Sequence, residues 1–156
     1  MHKEGTSMKA SAGKYAYSLK TQRVKETDFP YHGEQVTSTR ELLQFVHRLQ
    51  DSDIEKFLIL YLDAQNQLVG VQVILGTVNQ AVVYPREVFK DALLMGGACA
   101  IILVHNHPSG HPKPSEADIR LTKTLQECAK LFDILVHDHL IVAGERFFSF
   151  REEGLM

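Results

Sequence analysis

The sequence predicts an α/β (α+β) fold in which a single mixed β-sheet is sandwiched by helices, and three observations predict it. Apolar residues alternate between helical spacing and short β-rich runs in the order helix, hairpin, strand, helix, strand, helix, strands. One run, Ala98 to Val104, is apolar throughout, as in a strand covered on both faces. It leads into His105 to Pro114, where prolines and a glycine exclude regular structure, and a long amphipathic helix follows.

Taken in order, residues 1–36 show no sustained period and read as an irregular basic arm, with the folded domain over 37–156. After Thr37-Ser38-Thr39, which offer capping hydroxyls, Leu42, Leu43, Val46 and Leu49 recur at helical spacing. Phe57 to Leu62 and Leu68 to Leu75 are β-rich runs joined by the polar turn Asp63 to Gln67, a hairpin. Ala81 to Tyr84 reads as a third short strand. Pro85 suits the first turn of a helix whose apolar face is Val88, Phe89, Ala92, Leu93 and Met95, and Gly96-Gly97 ends it. The long helix runs from Ser115 to about Leu131, a strand from Ile134 to Val142, and Arg146 to Phe150 closes a last hairpin.

Composition narrows the function classes. The 156 residues are 44% hydrophobic and 23% charged, a globular balance that excludes wholesale disorder. The apolar runs are too short to span a bilayer, so no membrane partner is expected. Cys99 and Cys128 sit in apolar-periodic segments and read as buried, reduced thiols; with no secretory leader pattern, the expected location is cytoplasmic. Within residues 1–25, Lys3, Lys9, Lys14, Lys20, Arg23 and Lys25 face Glu4 alone, so the remainder of a chain of net charge −2 is acidic. Duplex binding needs a row of cations, so nucleic-acid contact is expected to be weak and confined to that segment.

The chemistry concentrates after the apolar strand. His105 and His107 are two apart, so in extended backbone both imidazoles point to one side. Ser115-x-x-Asp118 opens the next helix beyond a proline-stiffened loop that can return Asp118 to them. Two His and one Asp leave a fourth position for water, the pattern of a catalytic zinc site. Ser115-x-x-Asp118 is also a helix-capping pattern, and the two uses are compatible. His137 and His139 form a second His-x-His with only Asp138 beside it, which points to the opposite face. Asp138 and His139 therefore read as hydrogen-bonding groups in the sheet or as residues that orient the metal ligands. Asn106 reads as a side chain that fixes the loop through backbone bonds.

His105-Asn106-His107, seven residues, then Ser115-x-x-Asp118 resembles the metal-binding motif of the JAMM (JAB1/MPN+) metalloproteases. With Tyr84-Pro85-Arg86-Glu87-Val88-Phe89, His105 to Gly110 and Asp138-His139, the resemblance is to the RadC branch and covers about residues 38–153. It implies a JAB/MPN, cytidine-deaminase-like sandwich with one Zn2+ held by His105, His107 and Asp118. It further implies that Ser115 stabilises an oxyanion and that an upstream glutamate is the general base. The position matching the family's glutamate is Glu55; Glu87, nearer in sequence, is the competitor, and a first-turn carboxylate after Pro85 also explains it. Asn106 stands where the protease branch usually has Ser or Thr, as in RadC-like chains, which argues against isopeptidase activity of the deubiquitinating kind. Residues 1–36 are too short and irregular for the helix-hairpin-helix region of full-length RadC-like proteins.

The function expected is a zinc-dependent metallopeptidase or isopeptidase acting on a peptide or protein substrate. The alternative is a non-catalytic DNA-repair accessory or scaffold module that keeps the fold. Edge strands within Phe57 to Leu75 offer strand addition to a peptide or pairing in a homodimer.

Overall fold

The structure is a computed structural model that describes residues 36, 38–46, 49, 52–76 and 82–156. The basic segment 1–25 and the arm before Val36 lie outside the described residues. Helix α1 spans Thr39–Val46, β1 Lys56–Leu62, β2 Leu68–Leu75, α2 Pro85–Leu94, β3 Ala100–Asn106, α3 Glu116–Lys130, β4 Leu135–Ala143 and β5 Arg146–Ser149.

The strands form one mixed sheet in the order β2-β1-β3-β4-β5. β1 is antiparallel to both neighbours, β3 and β4 run parallel across the α3 crossover, and β4–β5 is a hairpin. Period-2 alternation splits the central strands between two cores. Leu58, Leu60, Leu62, Ile102, Val104, Leu140 and Val142 pack with Leu42, Val46 and Leu49 of the α1 region. Phe57, Ile59, Tyr61, Ile101 and Leu103 pack on the other face with Val88, Phe89 and Ala92 of α2 and Leu125 and Ala129 of α3. Every residue of β3 is buried, as its unbroken apolar run requires. The β1–β2 turn is held by the Asp63 carboxylate, which accepts from the N–H groups of Gln65 and Gln67 at 2.8 and 2.9 Å.

Four expectations change. Residues 82–84 form no strand, and Ala81 lies outside the described residues; Tyr84 is instead the N-cap that leads into Pro85 of α2. β3 begins at Ala100, after Gly96 and Gly97 at positive φ, which leaves Cys99 exposed rather than buried. Both cysteines are free thiols, and Cys128 is half-buried on α3. Among the described residues only β2 of the first hairpin is an edge, because β1 is enclosed by β2 and β3. A strand added outside β2 would lie about 14 Å, three strand spacings, from β3. Finally, Leu93, read as part of the apolar face of α2, is exposed, and in the last hairpin it is Phe150 that enters the core. Among the described residues no helix is long and apolar enough to cross a membrane.

Candidate metal centre

β3 runs two residues beyond its apolar stretch, so His105 and Asn106 are strand residues, not loop, and both are buried. The antiparallel pairing of Phe57 with His105 stacks the two rings at 5.4 Å between centroids and 10° between planes. His107 follows with its N–H on the Val142 carbonyl at 2.9 Å, and its Nδ1 lies 2.9 Å from the His111 carbonyl oxygen across the loop. Arg146 donates to the Gly110 carbonyl and ties the same loop to the last hairpin.

Helix α3 starts where the crossover leaves this loop, so its first turn stands over the carboxyl end of β3. Ser115 and Asp118 form a reciprocal cap: Asp118 N–H donates to Ser115 Oγ at 3.1 Å, and Ser115 N–H to Asp118 Oδ2 at 2.7 Å. The Ser115 hydroxyl also donates to Oδ2 at 2.6 Å. The cap thereby aims the Asp118 carboxylate at the histidines. Oδ1 is 3.3 Å from His105 Nε2, Oδ2 is 3.6 Å from His107 Nε2, and the two Nε2 atoms are 2.9 Å apart. Ligands about 2.05 Å from a tetrahedral zinc stand about 3.3 Å from one another. The two imidazole nitrogens thus lie at about this spacing from different oxygens of the one carboxylate, and among the described residues these three side chains are the one cluster whose ligand atoms all lie within 4.8 Å of one another.

Electrostatics at the site follow from this crowding. Burial would raise the Asp118 carboxyl, but the His107 hydrogen bond, the His105 charge and the Ser115 bonds outweigh it and hold it well below the usual carboxylate range. The Asp118 hydrogen bond raises His107 against a smaller burial penalty, with the His111 carbonyl and the Glu55 charge adding to it. Burial brings His105 down to about 4, with Asp118 opposing. His139, completely buried, is pushed well down by the same cause.

Behind His105 lies a polar relay that sequence reading found only in part. His139 Nε2 is 2.8 Å from His105 Nδ1, and His139 Nδ1 is 2.6 Å from the Thr122 hydroxyl. Thr122 was not singled out, although it falls one helical turn after Asp118 on the same face of α3. Phe150 stacks on His139 at 4.6 Å, so the two imidazoles are enclosed between Phe57 and Phe150. Asp138 faces the other way and accepts from Ser149 Oγ at 2.6 Å, His139 N–H at 2.7 Å and Arg151 N–H at 3.0 Å. It anchors the turn that delivers Phe150. His137 sits at a bulge in the β3–β4 ladder and bonds to Asn66, away from His139.

The two candidate glutamates separate. Glu55 precedes β1 by one residue and His107 follows β3 by one, so the Phe57–His105 pairing brings both to one end of the ladder, where the Glu55 charge acts on His107. Glu87 instead pairs with Lys90 and Arg86 on the exposed surface of α2, and Arg86 lies over the Tyr84 ring. Asn106 holds the Glu55 segment in place. Its Oδ1 accepts from Lys56 N–H at 2.7 Å, and its Nδ2 donates to the Ser52 and Ile54 carbonyls at 3.2 and 3.1 Å.

Comparison with known proteins fits this arrangement. A family model described as "RadC-like JAB domain" matches residues 36–155. The UPF0758 protein YeeS of Escherichia coli K12 is 43% identical over 143 residues, covering 89% of this chain and 96% of its own. YkfG of the same strain is 45% identical over 126 residues, covering 80% and 79%. A UPF0758 protein of Methanosarcina acetivorans is 39% identical over 150 residues, 95% of this chain. The chain spans 65% of that archaeal relative's length.

Proposed function

From the premise that this chain belongs to the RadC-like JAB domain family, we propose that it is a zinc-dependent metallohydrolase that cleaves an amide bond, peptide or isopeptide. The observation that carries the proposal is the mutual spacing of His105 Nε2, His107 Nε2 and the Asp118 carboxylate, all within 4.8 Å. These three side chains would hold the ion. A three-ligand zinc supplies Lewis acidity and makes water a nucleophile at neutral pH.

The chain's own residues supply the rest. The Glu55 carboxylate, on the His107 side of the site, takes a proton from the attacking water and returns it to the leaving amine nitrogen. The Ser115 hydroxyl, which rests on Asp118 Oδ2 at 2.6 Å, turns its hydrogen to the oxyanion that develops on the carbonyl. Asn106 keeps Glu55 from drifting. The enclosed Phe57 and Phe150 rings exclude water from the back of the site, and among the described residues the His107 and Ser115 side is the more exposed one.

A zinc titration of metal-freed wild type and His107→Ala tests the proposal. One ion per wild-type chain surviving dialysis and none in the variant is expected, followed by zinc-restored cleavage of peptide or isopeptide substrates. Equal metal content in the two proteins removes the site.

A further inference from the structure

The donor and acceptor roles along the relay behind His105 are determined by one backbone atom. Thr122 Oγ1 is 2.6 Å from the Asp118 carbonyl oxygen and 2.6 Å from His139 Nδ1. A carbonyl oxygen only accepts, so the single hydroxyl hydrogen of Thr122 is committed to it. The hydroxyl oxygen must then accept at its other contact, which makes His139 Nδ1 the donor. His139 is fully buried against Phe57 and Phe150, where a charged ring is costly, so it carries one N–H and its Nε2 keeps a lone pair. That lone pair, 2.8 Å from His105 Nδ1, accepts the N–H of His105. The remaining nitrogen of His105, Nε2, is left as an acceptor on the side of His107 and Asp118.

We infer that Thr122 is a positioning residue, which acts through His139 to lock His105 in the tautomer that presents Nε2 to the metal. Neutral His107 presents Nε2 by a shorter route, because its Nδ1 donates to the His111 carbonyl. His105 thus arrives with its ligand atom chosen before any ion binds. Asp118 and Thr122 are four apart on α3, so one turn of helix supplies both a ligand and the group that orders another ligand's protons. The inference rests on the reading of His105 as a ligand, and its test separates the two.

The experiment is 15N-resolved NMR of the imidazole nitrogens in the metal-free full chain, with zinc affinity measured alongside. In wild type, His105 is expected to show a protonated Nδ1 and an unprotonated Nε2. Thr122→Val, nearly isosteric, removes the acceptor and frees His139 to present Nε2–H. The His105 pattern is then expected to become mixed or inverted, and zinc affinity to fall about 10- to 100-fold. Thr122→Ser restores both. A wild-type spectrum with the proton on His105 Nε2 overturns the inference without needing any variant to fold. So does a folded Thr122→Val with unchanged ring pattern and affinity. The expected pattern in a wild-type chain that takes up no zinc overturns the ligand reading instead.

Discussion

Asn106→Ala is the substitution whose consequences the structure specifies most fully. The side chain is 1% exposed and makes three hydrogen bonds to the backbone of residues 52–56. At about 1 kcal/mol net per bond, their loss costs about 3 kcal/mol, since the Lys56 N–H loses its partner as well. In urea, with a slope of about 1.5 kcal/mol/M for a domain of this size, the midpoint falls by about 2 M. The functional effect differs in kind. The Asn106 side-chain bonds run to residues 52–56 and not to His105, His107 or Asp118, so zinc affinity is expected to hold within about threefold while cleavage slows, because the Glu55 segment is no longer pinned. Asn106→Asp keeps an acceptor for Lys56 but sets a carboxylate against two carbonyl oxygens, and is expected to be at least as destabilising. Equilibrium urea unfolding followed by tryptophan-free probes (far-UV circular dichroism) measures the first effect, and zinc competition with turnover assays the second. A stability loss below about 0.5 kcal/mol, or a parallel collapse of zinc affinity, would refute the assignment of Asn106 to the Glu55 clamp.

Other outcomes follow from the same geometry. Glu55→Gln is expected to retain zinc and lose about 10²- to 10⁴-fold in turnover, whereas Glu87→Gln, which only breaks an exposed pairing with Lys90 and Arg86, leaves turnover unchanged; the reverse result would exchange their roles. In the metal-free chain the His107 pKa is raised from its ordinary 6.5. The stabilisation from its proton is therefore complete below that value and fades as pH rises through the raised one. Zinc requires the deprotonated ring, so affinity is expected to climb over that same rise, with proton release seen by calorimetry in buffers of different ionisation enthalpy. An affinity flat across that range would contradict the His107–Asp118 pairing.

How far the sequence carried the reading depended on distance along the chain. Both halves of the candidate ligand set are short-range patterns: a His-x-His whose alternation places two rings together, and a Ser-x-x-Asp whose cap aims the carboxylate at them. Glu55 was legible only through family resemblance, because nothing local relates it to His107, fifty-two positions away. His139 was read as an orienting group without a partner, and Thr122 was missed, since their meeting depends on the parallel pairing of β3 with β4 and on the packing of α3. Ala81 to Tyr84 misled because β-rich composition persists up to a proline that claims Tyr84 as a helix cap.

By itself the chain's order of residues determined the alternation of helices and strands, the buried central strand, and the type and pairing of the metal-site side chains. Those follow from periodicity and backbone sterics, which act over a few residues. The tertiary structure decided the strand order, which glutamate lies near His107, and which nitrogen of His105 faces Asp118. These are outcomes of register and enclosure, set when separate segments exclude water from between them and each buried polar atom must find its partner.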